Sequence, residues 1–329
     1  MDWDAEVDVL CAGAGIAGLA TAIAAVDAGV EVMVAGALPF ADDRWVRDRV
    51  PGSSGGCATT LGAVLRSRIE ASGVLRVAKD QGDDDVAEAA ADDHPSEIAD
   101  DDAVAAMTGH HRGDDRSADQ VDATAVYFAA LTEDSDVDPE SIERQVTEQY
   151  VSTRTVHELS ESERDSRTVE TFFGARLADW AQECLGSATA AVYSTVRGWS
   201  ASTVQDVAGR RVRLAPIGTI DWGVDDGPGE LFDWLAAAVA ERDIAVSPAS
   251  TLAALVLEDR RIVGAELQTS DGPYLVRARH GVTISPDFVD AVAVPSRTGG
   301  GGAPLTGALQ VCLVGYPASR FARVELVAR

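Results

Sequence analysis

Asparagine is absent from the 329 residues, and Lys79 is the only lysine, so arginine supplies nearly all of the positive charge. Such a bias fits a GC-rich genome, or adaptation to high salt, better than it fits any one function. Bases of either kind are scarce: 27 Lys and Arg stand against 54 Asp and Glu, a formal net charge of -27. Phosphate contacts need clustered Lys or Arg, so this field argues against nucleic-acid binding and disfavours anionic membrane surfaces. It favours a basic partner surface or simple solubility. Cysteine is sparse too. Cys11, Cys57, Cys184 and Cys312 form no CxxC pair, which argues against zinc or a thioredoxin-like centre and for reduced, buried thiols. No run of about 18 apolar residues without a charge occurs, and the opening MDWDAEVD is acidic where a secretory signal is basic. A chain without a transmembrane segment, located in the cytoplasm, is the expectation.

What is present is enough apolar material, 46% of residues, for one large α/β domain or two unequal ones. Residues 7–11 read as a strand, 16–28 as an Ala-rich helix that Gly29 ends by a left-handed cap, and 30–35 as a second strand. Parallel strands joined by a helix make a βαβ unit, and the chain opens as a doubly wound fold. Further on, GELFDWLAAAVAERD is a helix, followed by strands at 244–246, 251–257, 262–269, 274–278 and 281–284, with Asp271-Gly272 as one turn. This is a meander that returns to a central sheet. Between these parts, residues 80–102 are acidic without a base and are expected to stay solvated. Asp138 and Pro139 open a helical stretch, and Phe173, Leu177, Trp180 and Cys184 fall at helical spacing. After SRTGGGGAPLTG the chain ends in a strand-like segment whose boundaries the sequence does not set.

Gly13, Gly15 and Gly18 make GxGxxG directly after the first strand and at the start of the helix. Gly13 permits the tight turn, Gly15 lets a pyrophosphate approach the backbone, and Gly18 lets helix and strand lie close. Free amides and the helix dipole of the turn Gly13, Ala14, Gly15, Ile16, Ala17, Gly18 suit phosphate charge. One part is missing. The acid that normally ends the second strand accepts bonds from ribose hydroxyls, and here the place is held by Gly36. Asp42 and Asp43 lie in the following loop, and Glu31 falls too early in the strand to reach. Losing one charged hydrogen-bonded pair weakens binding by about 1.5–3 kcal/mol unless water or backbone replaces it.

The order of segments resembles the flavoprotein family of fumarate reductase and succinate dehydrogenase flavoprotein subunits and 3-ketosteroid Δ1-dehydrogenases. The opening DVLCAGAGIAGLATAIAAVDAGVEVMV is similar to that family's FAD-binding start, and GSSGGCATT resembles its loop along the flavin. The segment from GPGELFDWL to VRARHGV is similar to its helix, strand and meander, and the insertion between corresponds in position to its substrate-side cap. The resemblance implies FAD as cofactor, with Ser53, Ser54, Gly55 and Gly56 beside the flavin. There are departures. Where the family has a small Ala-Thr-Gly-Gly turn after the meander, this chain has Ser285, Pro286, Asp287 and Phe288, and a rigid Pro and bulky Phe do not offer the same close approach to the cofactor. Much of the family's active site, which lies in its later catalytic portion and glycine-rich tail, is expected to have no counterpart in this sequence.

Catalytic residues are not identified. Ketosteroid dehydrogenation needs tyrosines to polarise a ketone, and fumarate reduction needs Arg and His groups; Tyr127, Tyr193, Tyr316, His157 and His280 align with neither role. His110 and His111 lack a third spaced ligand and read as solvent-facing, so no metal is expected. Arg210, Arg211 and Arg213 suit an anionic substrate, but a salt-bridged strand face suits them better. Trp180 and Trp234 sit on apolar helix faces and read as core rather than flavin-stacking groups. The fold expected is an α/β, Rossmann-like FAD/NAD(P)-binding domain with a β-meander, built from residues 1–78 and 205–300. An acidic and helical insertion occupies 79–204, and a C-terminal segment occupies 301–329. Two functions remain open: an FAD-dependent oxidoreductase acting at a C–C bond next to a carbonyl, and a pseudoenzyme serving as a structural or regulatory subunit with a protein partner or as a homo-oligomer. A plain NAD(P)-binding protein ranks third, because no second glycine turn is found.

Overall fold

The computed structural model describes residues 2–36, 61–62, 64–65, 123–133, 151–161, 173–195, 201–248, 250–259, 261–287 and 305–329. The acidic segment 80–102, the helix expected after Asp138, His110 and His111 lie outside the described residues, as do Ser53, Ser54, Gly55, Gly56 and Phe288.

The chain opens with strand β1 (Ala5–Ala12), helix α1 (Ile16–Asp27) and strand β2 (Val32–Gly36). The C-terminal end of α1 closes as expected: Gly29 takes φ +76°, its amide donates to Val26 O and that of Val30 to Ala25 O, the bond pair of a Schellman cap. Helix α2 (Ala123–Glu133), strand β3 (Ser152–Glu158), helix α3 (Phe173–Leu185) and strand β4 (Ala190–Tyr193) follow. Strands β5 (Ser202–Asp206) and β6 (Arg211–Trp222) then lead to helix α4 (Pro228–Glu241). Pro228 stands in its first turn, and the Gly227 amide is taken up by Glu230 Oε2 at 2.8 Å. The remaining strands are β7 (Ala245–Pro248), β8 (Thr251–Glu258), β9 (Arg261–Thr269), β10 (Gly272–Ile284), β11 (Gly307–Gly315) and β12 (Phe321–Ala328).

All of these strands belong to one sheet, ordered β11-β6-β5-β3-β12-β4-β10-β1-β2-β7, with β8 and β9 attached to β10. The stretch β10-β1-β2-β7 is parallel, and β8, β9 and the first half of β10 form the expected antiparallel meander. The sheet includes strands from 79–204 and from 301–329. One expectation is corrected: 274–278 and 281–284 are not separate strands but parts of β10. Arg279, between the two expected strands, reaches Asp8, Glu6 and Glu31 and ties β10 to β1 and the start of β2. A register shift lies opposite it, between Val7 and Val9. The shift changes which face is buried where: Val9 and Cys11 point into the α1 core, whereas Val7, Leu10 and Ala12 share the other one.

Because β11 also pairs with β12, the strands β11, β6, β5, β3 and β12 close into a five-strand ring. Val156, Val204, Val212, Cys312 and Val327, one from each ring strand, belong to one core. Helix α1 packs against β1, β2 and α4 and also touches β6, β11 and β12. Every residue from Ile16 to Ala25 is buried, the pattern of a helix surrounded by protein. Among the described residues no helix is long and apolar enough to cross a membrane.

Candidate functional site

The glycine turn stands where the parallel strands present their carboxyl ends, between β1 and α1. Gly13 takes φ +112°, and its amide donates to Ala35 O at 2.7 Å. A Cβ at Gly13 would overlap the carbonyl of Ser285, and one at Gly18 would overlap the carbonyl of Gly13. Strand, turn and helix therefore approach as closely as the glycine spacing predicts. Helix α1 starts at Gly15 without a side-chain cap and without an acid in its first turn. The amides of Ile16, Ala17 and Gly18 have no hydrogen-bond partner among the described residues. Buried backbone donors are seldom left bare, and here they stand at the positive end of the helix dipole.

The segment after β10 crosses this turn. Ser285 N donates to Ala12 O at 2.9 Å and Ser285 Oγ to Gly13 O at 3.1 Å. Gly15 N donates to Pro286 O at 3.1 Å, and Ala14 N donates to Asp287 Oδ1 at 2.8 Å. Pro286 thus does not hold the segment away from the glycine turn; lacking an amide of its own, it contributes the carbonyl. Gly36 ends β2 beside the same carboxylate: a Cβ there would stand 2.5 Å from Asp287 Oδ1 and 2.6 Å from Ala14 N. Sequence reasoning missed this contact. Its only signal was an acid just beyond the last strand expected after the meander, in a chain without one at position 36.

The other residues singled out by sequence are scattered. Tyr193 Oη pairs with Thr21 Oγ1 of α1 at 3.0 Å. Tyr127 Oη accepts from Arg320 at 3.2 Å, and burial raises the phenol pKa against the opposing Arg320 charge. Tyr316 packs on Trp180, ring centres 5.2 Å apart. His157 meets Gln205 at 3.2 Å on the surface, and His280 lies 3.7 Å from Asp8. Arg210 pairs with Asp206 at 2.8 Å. Trp180 is buried and donates to Phe321 O at 3.0 Å, a core role as expected. No group of three metal-ligating side chains is found among the described residues.

A second polar cluster carried no signal in the sequence. Arg154 on β3 binds both oxygens of Glu325 on β12, at 2.6 and 3.0 Å, and Asp206 on β5 at 2.8 Å. Arg323 donates to the same Glu325 at 2.6 Å and lies over the Trp180 ring, 5.1 Å from its centre. Arg154, Asp206 and Glu325 each stand two residues from a ring-core valine, so they share the face those valines line. Burial pushes the Glu325 pKa up, but Arg323 and Arg154 outweigh it and hold the value down at about 2.

No protein-family model matches this chain, and no curated protein does. Among solved structures, it is similar to 3-ketosteroid-Δ4-(5α)-dehydrogenase from Rhodococcus jostii RHA1, solved with 4-androstene-3,17-dione, at 18% identity over 86% of this chain and 46% of that one, TM-score 0.27. It is similar to aklavinone-11 hydroxylase, solved with FAD and aklavinone, at 19% identity over 85% of this chain and 32% of that one, TM-score 0.25. It is similar to the open form of a flavocytochrome c3 fumarate reductase at 14% identity over 84% of this chain and 33% of that one, TM-score 0.27. The chain spans about half or less of the length of these three proteins.

Proposed function

We propose that the chain is a divergent FAD-binding protein of the fumarate reductase and ketosteroid dehydrogenase type, with the pyrophosphate at the turn Gly13, Ala14, Gly15, Ile16, Ala17 and Gly18, where the first three amides are engaged within the fold and those of Ile16, Ala17 and Gly18 donate to it. The observation behind this reading is the start of α1, where three successive amides in a buried turn have no hydrogen-bond partner among the described residues. Those donors fit phosphate oxygens, and their dipoles offset its charge without reorganising. Gly13 and Gly18 keep the turn free of side chains, and Ser53, Ser54, Gly55 and Gly56 belong to the same proposal as the loop along the flavin. Bound FAD supplies a hydride acceptor or donor at its N5, suited to a C–C bond next to a carbonyl.

A second reading, a pseudoenzyme acting as a structural or regulatory subunit or homo-oligomer, is favoured by a different observation. Tyr127, Tyr193, Tyr316 and His157 are each engaged with different partners in different parts of the fold. One experiment separates the two. The chain is purified without added cofactor, its near-ultraviolet and visible spectrum recorded, and FAD titrated while flavin fluorescence and the thermal midpoint are followed. Retained or rebound flavin with a raised midpoint is expected. A colourless protein whose midpoint does not move at high FAD overturns the FAD reading and leaves the subunit role.

A further inference from the structure

We infer that Asp287 supplies the carboxylate that the end of β2 lacks, as the acceptor for the adenosine ribose hydroxyls of a dinucleotide bound at the glycine turn. This rests on the FAD-binding reading above. In a βαβ nucleotide unit the ribose is held by an acid at the end of the second strand, the place of Gly36. Strand β10 runs parallel to β1, on the side away from β2, so its chain emerges at the same edge as the ends of β1 and β2. From there Ser285, Pro286 and Asp287 step across the turn, each bonded to it.

The carboxylate arrives where a side chain at position 36 would begin, with Oδ1 2.5 Å from the place of a Gly36 Cβ. Acid at 36 and carboxylate from 287 therefore exclude each other. Gly36 leaves the room that Asp287 uses, which turns an apparent loss into an exchange. The bond from Ala14 N fixes Oδ1, while Oδ2 has no partner among the described residues and the side chain is only half-buried. An ionised carboxylate accepts up to about four hydrogen bonds, and a ribose diol offers two donors.

A carboxylate that merely plugged the phosphate site would bond the first turn of α1. Asp287 instead bonds Ala14, just before the helix cap Gly15, and the Ile16, Ala17 and Gly18 amides stay without a partner among the described residues. Ribose acceptor and phosphate donors are thus adjacent and separate, as a nucleotide requires.

The test compares FAD with FAD built on 2′-deoxyadenosine, on the wild-type chain and on Asp287→Asn. Wild type is expected to prefer the ribose form by roughly tenfold, and Asp287→Asn to bind FAD roughly 10–100-fold more weakly and to bind both forms alike. Wild type that treats the two forms equally overturns the inference and needs no variant. So does Asp287→Asn binding FAD as tightly as wild type or tighter, the result for a plug; in both cases FAD binding itself stands. Wild type that binds neither form overturns the FAD reading, and this inference with it.

Discussion

Gly13 and Gly29 both take a positive φ, +112° and +76°, in different surroundings. Around Gly29 nothing lies within 4 Å of where a Cβ would stand, whereas at Gly13 that Cβ would overlap the Ser285 backbone. Gly29→Ala therefore costs only the penalty for a left-handed backbone, about 1 kcal/mol. Gly13→Ala adds a clash with backbone that cannot turn aside as a flexible side chain can, and is expected to cost roughly 3 kcal/mol or more. Urea midpoints of the two variants check the contrast; equal losses would mean that the segment after β10 yields easily and does not press on the turn. The same residue-level logic covers the thiols. Burial pushes Cys11 up to about 12 and raises Cys184 and Cys312 as well, and these three are free and buried, as expected of them, while Cys57 lies outside the described residues.

At the scale of elements, the ring strands β3, β5 and β12 are joined by Arg154, Asp206 and Glu325. Glu325 has a folded-state pKa of about 2, below its ordinary value of 4.5. A lowered carboxylate pKa stabilises the fold above the ordinary value, and that contribution is lost as pH falls through 4.5 towards 2. Glu325→Gln leaves the buried Arg154 and the partly buried Arg323 with less compensation and is expected to cost roughly 3–5 kcal/mol near neutral pH. The gap between wild type and variant should narrow steadily from about pH 5 to pH 2. Urea unfolding of both proteins across that window isolates this group, because the other acids titrate in both. A gap that stays constant would show that the buried charge is held by something other than Glu325.

The elements also show what the sequence carries. The β1-α1-β2 unit and the meander were legible because local signals set them: a glycine turn, helical spacing and the Asp271-Gly272 turn. Strands β11 and β12 were not delimited, since ALQVCLVG and FARVELVA are buried on both faces over most of their length, and the alternation in LQV and RVEL is too short to set their bounds. The ring depends on β3 pairing with β12, Ser152 opposite Glu325, and no local pattern announces such a contact. The same holds for the candidate site: the glycines were read directly, but the carboxylate beside Gly36 comes from a residue 273 positions from its partner Ala14.

For the whole molecule, the net charge of -27 sets a field that individual pairs do not cancel. Exposed bridges such as Arg242–Asp27 and Arg329–Glu158 are worth little each and weaken with salt. Self-repulsion among the acids weakens with salt as well, and with twice as many acids as bases the repulsion outweighs the bridges. The thermal midpoint should therefore rise from about 0.02 M to about 0.3 M sodium chloride and then level off, as the Debye length drops below about 10 Å. A rise that continues linearly would instead reflect solvent exclusion at the surface, and a fall would mean that the ion pairs dominate. The same field acts on a cofactor. Pyrophosphate must approach a strongly acidic protein before it reaches the α1 amides, so the association rate of FAD should increase with salt over this range. Its dissociation rate, set by short-range bonds inside the turn, should change much less. Stopped-flow traces at several salt concentrations give both rates, and an association rate that falls with salt would place a basic entrance around the turn that outweighs the net charge.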